Sequence, residues 1–170
     1  MRIREACAED LLGLQDIERS AGEMFRDIGM PEIADDEPPS LAELTRYQRA
    51  GTAWVATTDT DQVTAYLIAE PLDGNLHLEQ LSVHQNHTRQ GIGRGLIIHA
   101  AKTAAANGIP ALTLTTFRDV PWNAPHYERC GFRTLDEHEI TPGLRARRQQ
   151  EATHGLDRWP RVCMRRPTAN

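Results

Sequence analysis

The feature that most restricts the fold of this chain is a glycine-rich turn that joins an apolar strand directly to an amphipathic helix. It occupies residues 81–95 (LSVHQNHTRQGIGRG) and contains Gly91, Gly93 and Gly95. Glycine lets the backbone come close to a ligand and adopt dihedral angles that a Cβ atom forbids. The first turn of a helix also has unpaired N–H groups and a partial positive charge, and Arg89 and Arg94 add two cations. The segment therefore predicts a cradle for an anion, with a pyrophosphate as its natural ligand.

Two common pyrophosphate motifs do not fit this segment. A Walker loop requires a lysine followed by Ser or Thr after its last glycine, and neither stands in place here. A dinucleotide fingerprint requires G-x-G-x-x-G early in a parallel βαβ unit, whereas these glycines follow a G-x-G-x-G pattern in mid-chain. Taken alone, the glycines are also compatible with a tight turn that only holds a helix start.

The hydrophobic periodicity predicts the element order β-α-α-β-β-β-α-β-α-β-(α)-β. Ser40 opens the second helix as an N-cap, and Glu43 completes a capping box. The predicted helices lie near residues 8–28, 40–51, 92–106, 123–130 and 143–155. The predicted strands lie near residues 1–6, 53–58, 63–70, 76–83, 111–116, 132–139 and 161–166. Hairpins mixed with one or two crossovers are typical of an α/β fold with a mixed, mostly antiparallel central sheet flanked by helices.

Length and composition favour one compact domain with small-molecule or peptide partners. The chain has 170 residues, of which 39% are hydrophobic, and a chain of this size buries roughly 70% of its unfolded surface. The net charge of −5 argues against nucleic-acid binding, since such modules usually have a basic face. Three widely spaced cysteines, the absence of an apolar run near ~20 residues and a polar N-terminus lead us to expect a cytoplasmic protein without a membrane partner.

Two ordered motifs make this chain resemble the GNAT family of N-acetyltransferases. Residues 88–93 (TRQGIG) are similar to the family's [QR]-x-x-G-x-[GA] turn at a helix start. Residues 123–132 (NAPHYERCGF) are similar to its N-x-x-x-Y-x-x-x-G-F motif. The motifs lie about thirty residues apart, and such a pair is far more specific than either motif alone. One position departs from the family, because Thr88 stands where glutamine or arginine is usual.

The resemblance implies a way of binding acetyl-CoA as cosubstrate. The backbone of Leu81 and Val83 should pair with the pantetheine arm, the amides of residues 89–94 should hold the pyrophosphate, and Asn123 should contact the CoA arm. The implied cofactor-binding residues are Leu81, Ser82, Val83, Arg89, Gln90, Gly91, Ile92, Gly93, Arg94 and Asn123. It also implies a single N-acetyltransferase domain over residues 1–170, with acceptor-side helices at about 8–51 and an acetyl-CoA-binding core at about 76–139.

Acetyl transfer to an amine requires a stabilised oxyanion and a proton for the leaving thiolate. The resemblance assigns the proton to Tyr127 as general acid. A tyrosine titrates near ~10 and a thiol near ~8.5, so a neutral tyrosine can supply that proton at pH 7. A backbone N–H near Ser82 or Val83 would hold the oxyanion.

The reaction also requires a base, because a lysine-like amine with a pKa near ~10.4 is almost entirely protonated at pH 7. Glu79 is the candidate, since it lies two residues before Leu81 on the strand that should line the cleft and could act through a water. Asp119 or water alone are the alternatives. The following strand reads Thr113-Leu114-Thr115-Thr116 and offers no carboxylate.

The leading hypothesis is an enzyme that moves an acetyl group from acetyl-CoA to a primary amine, by direct transfer through a tetrahedral intermediate. The alternative is a non-catalytic CoA-binding sensor or regulatory module that uses the same cradle. The acceptor is a small-molecule or peptide amine whose identity the sequence does not specify, because acceptor loops vary. We expect no metal, since nothing with ligand spacing joins His84 and His87. An exposed last strand could pair between subunits in a homodimer.

Overall fold

The computed structural model describes residues 1–169 and divides the chain into two compact units. The N-terminal unit comprises Met1–Glu70 and Glu79–His99, and the C-terminal unit comprises Pro71–Leu78 and the chain from Ala100 onward. No helix within the described part of the chain is long and apolar enough to cross a membrane.

The N-terminal unit is built on antiparallel strands with its helices inserted after the first strand. Its elements are β1 (Arg2–Glu5), α1 (Leu11–Glu23), α2 (Pro31–Ala34), α3 (Leu41–Arg49), β2 (Ala53–Thr57), most of β3 (Val63–Leu72), the end of β4 (Asn75–Val83) and the start of α4 (Ile92–Ala106). Strand β2 pairs with β1 through Ile3↔Ala56 and with β3 through Val55↔Tyr66. Both pairings are antiparallel.

The C-terminal unit contains the only parallel pairing recorded among the described strands. Its elements are the start of β4, the end of α4, β5 (Ala111–Phe117), α5 (Ala124–Arg129), β6 (Arg133–Thr134), α6 (Pro142–Thr153) and β7 (Arg161–Pro167). Strand β5 runs parallel to β4 at Leu76↔Leu112 and antiparallel to β7 at Leu114↔Met164. The strand order β1-β2-β3-β4-β5-β7-β6 confirms the predicted mixed, mostly antiparallel sheet.

The core of the N-terminal unit follows from the spacing of apolar residues on α1. Leu11, Leu14 and Ile17 are buried on one side of this helix and pack with Leu44 of α3 and Tyr66 of β3. Such i, i+3 spacing places apolar side chains on a single helical stripe. The predicted N-cap of α3 is confirmed, because the Ser40 hydroxyl accepts a hydrogen bond from the Glu43 N–H at 3.1 Å. These contacts fix α1 and α3 against the sheet.

Three predicted elements differ from the observed ones. The helix predicted near residues 8–28 is α1 flanked by a 3₁₀ turn at each end. Between the helices predicted near residues 8–28 and 40–51 lies a further short helix, α2, which begins at Pro31. The strand predicted near 132–139 is only two residues long, because Asp136 and Glu139 form a capping box around a 3₁₀ turn that ends the extended backbone.

The turn between β3 and β4 anchors α6 in the C-terminal unit. Asp73 and Gly74 both have positive φ angles, 52° and 80°, which is the pattern of a two-residue type I′ hairpin. The Asp73 carboxylate accepts hydrogen bonds from the Thr141 hydroxyl and, at 2.9 Å, from the Gly143 N–H. A Cβ atom on Gly143 would lie 2.7 Å from the Leu72 side chain. Glycine is therefore required where the start of α6 meets this turn.

Replacing Asp73 by alanine should lower the stability of the folded protein. The change removes an acceptor from two donors at the start of α6 and places alanine at a positive φ angle. The loss of a capping carboxylate costs about 1–2 kcal/mol, and a thermal melt should show a Tm lower by roughly 2–8 °C. Asp73→Asn should lose less, because asparagine tolerates this backbone conformation and keeps one acceptor. Asp59→Ala, at a fully exposed turn position, is the control, and an equal loss there would contradict the assignment.

Candidate active site

The predicted anion cradle has an unusual backbone just before α4. Arg89 and Gly91 both have positive φ angles, 62° and 76°, and α4 begins at Ile92. No described residue accepts a hydrogen bond from the N–H groups of Gln90, Gly91, Ile92 and Gly93. These donors lie together at a helix start, where the partial positive charge of the helix is concentrated. The turn can therefore hold an anionic group through its backbone alone.

The third glycine of the turn has a packing role. A Cβ atom on Gly95 would lie 3.2 Å from the Met1 side chain and 3.4 Å from that of Ile3. Leu96 and Ile97, the next residues of α4, are fully buried. Gly95 thus brings the first turns of α4 close to β1, which fixes the direction of the helix and of its free N–H groups.

The predicted CoA-binding residues of β4 differ in their burial. Leu81 and Val83 are half-buried, whereas Ser82 is 4% exposed. The Ser82 hydroxyl accepts a hydrogen bond from the Gln80 side chain at 3.0 Å and donates one to Glu18 Oε2 at 2.6 Å. The side chain of Ser82 is therefore committed to the protein, and a ligand would meet this position through its backbone.

The acceptor of the Ser82 hydrogen bond is Glu18, a residue that the sequence did not lead us to predict. Its Oε2 atom accepts a second hydrogen bond from the Tyr66 hydroxyl, also at 2.6 Å. Burial raises the pKa of the Glu18 carboxyl above its ordinary value, and the charge of Asp36 adds to the rise, while the two hydroxyl donors oppose it. A signal was present in the sequence, since Glu18 falls on the apolar stripe of α1, four residues after Leu14.

The second motif forms a compact turn in the C-terminal unit. Asn123 precedes α5, and its carbonyl accepts a hydrogen bond from the Tyr127 N–H at 2.9 Å. The Tyr127 carbonyl in turn accepts from the Phe132 N–H at 3.0 Å, across Gly131, whose φ angle is 93°. The Tyr127 ring is 8% exposed and meets the Phe132 ring edge-on at 5.7 Å. The spacing N-x-x-x-Y-x-x-x-G-F thus corresponds to one short helix and its closing turn.

Asn123 carries an unsatisfied polar atom. Its Nδ2 atom donates a long hydrogen bond of 3.4 Å to the Trp122 carbonyl. Its Oδ1 atom is buried and has no hydrogen-bond partner within residues 1–169. A buried acceptor without a partner costs about 1–3 kcal/mol, so such an atom points to a donor supplied by a ligand.

The two predicted bases have different surroundings. Asp119 is exposed and accepts two hydrogen bonds of 3.0 Å from the Arg118 guanidinium. These bonds lower the pKa of the Asp119 carboxyl, which makes it a weaker proton acceptor. Glu79 is half-buried on β4.

A second carboxylate that sequence reasoning missed reaches β5 from α6. The strand itself offers no carboxylate, but the Thr115 hydroxyl donates a hydrogen bond to Glu151 Oε2. The Glu151 Oε1 atom accepts from Arg161 at 2.9 Å and from Arg148 at 3.2 Å. These contacts with two guanidinium groups and one hydroxyl make Glu151 an organising residue of this end of the C-terminal unit.

The two histidines considered as metal ligands are held by local contacts. The His84 Nδ1 atom accepts a hydrogen bond from the Asn86 N–H at 3.1 Å. The rings of His84 and His87 meet edge-on with their centroids 6.1 Å apart. This geometry accounts for both side chains as parts of the turn that follows β4.

Comparison with known proteins assigns this architecture to a family. The model of the acetyltransferase (GNAT) family matches residues 14–132, more than two thirds of the chain. An acetyltransferase of the GNAT family from Staphylococcus aureus Mu50 superposes with a TM-score of 0.75 at 15% identity, covering 98% of each chain. PaiA N-acetyltransferase from Thermoplasma acidophilum, solved with coenzyme A, gives 0.68 at 19% identity, again over 98% of each chain.

N-acetylglutamate synthase from Neisseria gonorrhoeae, complexed with coenzyme A and N-acetyl-glutamate, gives a TM-score of 0.74 at 17% identity. The match covers 99% of this chain and 35% of the synthase, so the chain spans about a third of that protein. Likeness at these identities establishes the fold, and the family model establishes the membership. The chain belongs to the GNAT family of acetyltransferases and transfers an acetyl group supplied by acetyl-CoA.

Proposed function

We propose that this enzyme is an N-acetyltransferase that transfers the acetyl group directly from acetyl-CoA to a primary amine. The observation that carries the proposal is the set of unpartnered N–H groups at residues 90–93, where α4 begins. They supply several donors to one anionic group without any side chain, which suits the pyrophosphate of CoA. Similarity to an N-acetylglutamate synthase and to PaiA N-acetyltransferase supports an amine as acceptor.

The chemistry requires a donor for the leaving sulfur. In the proposal the amine nitrogen attacks the thioester carbonyl, the carbon–sulfur bond breaks, and Tyr127 protonates the thiolate. The backbone contacts around Tyr127 support this role, because they fix the start of its side chain within a closed turn. Its hydroxyl then has few positions to occupy, which favours proton transfer to one defined atom.

The amine must also lose a proton before it attacks. Of the two predicted bases, Glu79 has the better support, since Asp119 is exposed and bound to Arg118. Glu79 lies on the strand proposed to run beside the thioester, and as a base it would act through a water. The oxyanion of the tetrahedral intermediate would be held by a backbone N–H near Ser82 or Val83.

Replacing Asn123 by alanine should separate ligand binding from stability. The Asn123 Oδ1 atom is buried without a partner in the free protein, so removing it should leave Tm unchanged or raise it. In the complex this atom would accept a hydrogen bond from an amide N–H of pantetheine. Its loss should weaken acetyl-CoA binding by about twofold to tenfold, as expected for one hydrogen bond of roughly 0.5–1.5 kcal/mol. Calorimetric titration measures the affinity, and an unchanged Kd would remove Asn123 from the CoA site.

The proposed function is tested by release of free thiol from acetyl-CoA across a panel of amines. The panel contains amino acids, a polyamine, an aminoglycoside and a peptide with a free N-terminus. Turnover that requires one of these amines, with acetylated product identified by mass spectrometry, is the expected result. Acetyl-CoA binding without thiol release for any amine would instead favour a regulatory CoA-binding protein.

A further inference from the structure

The buried carboxylate of the N-terminal unit lies beside the strand that the proposed function assigns to the thioester. Glu18 on α1 accepts two hydrogen bonds at one oxygen, from Tyr66 on β3 and from Ser82 on β4, both at 2.6 Å. Ser82 stands between Leu81 and Val83 in the sequence. One hydrogen bond therefore separates Glu18 from the segment of β4 that would run along the pantetheine arm.

This arrangement leaves the second oxygen of the carboxylate available. Glu18 Oε1 makes no hydrogen bond to any described residue, and it is not among the buried atoms that lack partners. No arginine or lysine of the described chain forms an ion pair with Glu18. A partly buried carboxylate without a cation is costly to maintain, and two neutral hydroxyls do not neutralise its charge. The group is thus suited to receive a cation from outside the protein.

The position of Glu18 is fixed by neighbouring contacts. Its two hydroxyl donors are buried, with Tyr66 0% and Ser82 4% exposed. Two residues along α1, the Ser20 hydroxyl accepts a hydrogen bond from the Gln85 N–H at 3.1 Å. Helix α1 is therefore tied to β4 and to the segment that follows it at two points. A carboxylate held in this way loses little freedom when it binds a substrate.

We infer that Glu18, in place of Glu79, is the carboxylate that receives the acceptor amine and takes its proton, with Tyr66 and Ser82 as positioning residues. The inference rests on the proposed function. The ammonium group of the acceptor binds at Oε1 and gives one proton to the carboxylate, which later releases it to water. The neutral nitrogen forms a bond to the thioester carbon, and the carbon–sulfur bond breaks as sulfur takes a proton from Tyr127. The second proton lost by nitrogen restores the Tyr127 hydroxyl, so charge and atoms balance.

The pH dependence of kcat/KM distinguishes this role from a structural one. If Glu18 accepts the proton, the enzyme uses the protonated amine, and kcat/KM is flat from the pKa of Glu18 up to that of the amine, near ~10.4 for a lysine-like group. Without the carboxylate the enzyme depends on the neutral amine, whose fraction rises tenfold per pH unit. The titratable groups that bear on Glu18 are Tyr66, whose pKa burial raises well above its ordinary value, and Asp36. The tyrosine therefore stays protonated throughout this range.

The experiment compares wild type, Glu18→Gln and Glu79→Gln with the amine of the panel that gives the fastest thiol release. Glutamine keeps an oxygen for the two hydroxyls, and thermal melts verify folding. Glu18→Gln should lower kcat/KM for the amine by about 100-fold or more at pH 7, with the Kd for acetyl-CoA within twofold of wild type. The deficit should shrink about tenfold for each unit of rising pH. Glu23→Gln, an exposed position on the same helix, is the matched control and should behave as wild type.

Three outcomes would overturn the inference. One is a wild-type plot of log kcat/KM against pH that rises with unit slope up to the pKa of the amine. This outcome can be detected without any variant. The second is a Glu18→Gln deficit that is absent or constant with pH. The third is a loss of the plateau in Glu79→Gln and not in Glu18→Gln, which would assign the base to Glu79. Absence of turnover with every amine in the wild type would instead overturn the proposed function, and this inference with it.

Discussion

Replacing Tyr127 by phenylalanine is expected to lower kcat by about 10²–10⁴-fold while leaving the affinity for acetyl-CoA unchanged. The variant keeps the ring that packs against Phe132 and removes only the hydroxyl. The thiolate would then leave without a positioned proton donor, and general acid catalysis contributes about this factor. Thiol release at saturating acetyl-CoA measures kcat, and calorimetry measures the affinity. A large fall in kcat with a constant Kd would identify an interaction made in the transition state.

The control for this prediction is a second buried tyrosine outside the proposed site. Tyr47 of α3 is 6% exposed, and its hydroxyl accepts a hydrogen bond from Arg46 at 3.2 Å. Tyr47→Phe should retain wild-type kcat, because this ring belongs to the core between α3 and the sheet. If Tyr127→Phe also retained wild-type kcat, water or another residue would have to protonate the sulfur, and Tyr127 would have only a packing role.

The parts of the fold that depend on local sequence could be predicted. The cap of α3 requires only Ser40 and the Glu43 N–H, and the start of α4 requires only a glycine turn followed by apolar periodicity. Both are confirmed by the structure. The strand predicted near residues 132–139 was too long, since a local capping box at Asp136 competes with extended backbone. Apolar periodicity could not distinguish the predicted long strand from the observed short strand and 3₁₀ turn, because Phe132 and Leu135 are buried in either case.

The base proposed from the structure, Glu18, could not be predicted because its environment is created by tertiary contacts. Glu18 is separated by 48 residues from Tyr66 and by 64 from Ser82, and no motif connects them. The one local indication in the sequence was that Glu18, a carboxylate, lies on the apolar stripe of α1. Nothing in the local sequence indicated that Glu151 would be important, since it lies in a polar helix. Its organising role follows from its hydrogen bonds with Thr115 and Arg161. Sequence patterns thus predicted where α4 begins better than they predicted the contacts of Glu18 and Glu151.

Replacing Gly91 by alanine should weaken acetyl-CoA binding by about 5- to 30-fold. The φ angle of 76° is readily adopted by glycine and costs other residues about 1–2 kcal/mol. A Cβ atom at this position would meet no described atom within 4 Å, so the change acts on the backbone alone. The turn is exposed, so in the free protein the alanine variant can relax to another backbone conformation. In the complex the N–H groups of residues 90–93 must align on the pyrophosphate, so the free-energy cost of the positive φ angle then lowers the binding affinity. Calorimetric titration with acetyl-CoA measures the effect.

The matched control lies at the other end of α4. Gly108 has a φ angle of 72°, and a Cβ atom there also meets no described atom within 4 Å. Gly108→Ala imposes the same backbone cost where no pyrophosphate is proposed, so it should lower Tm without changing the Kd for acetyl-CoA. Equal losses of affinity in the two variants would mean that a general weakening of α4 controls binding. A loss confined to Gly91→Ala would trace the affinity to the left-handed turn that aims the free N–H groups at the ligand.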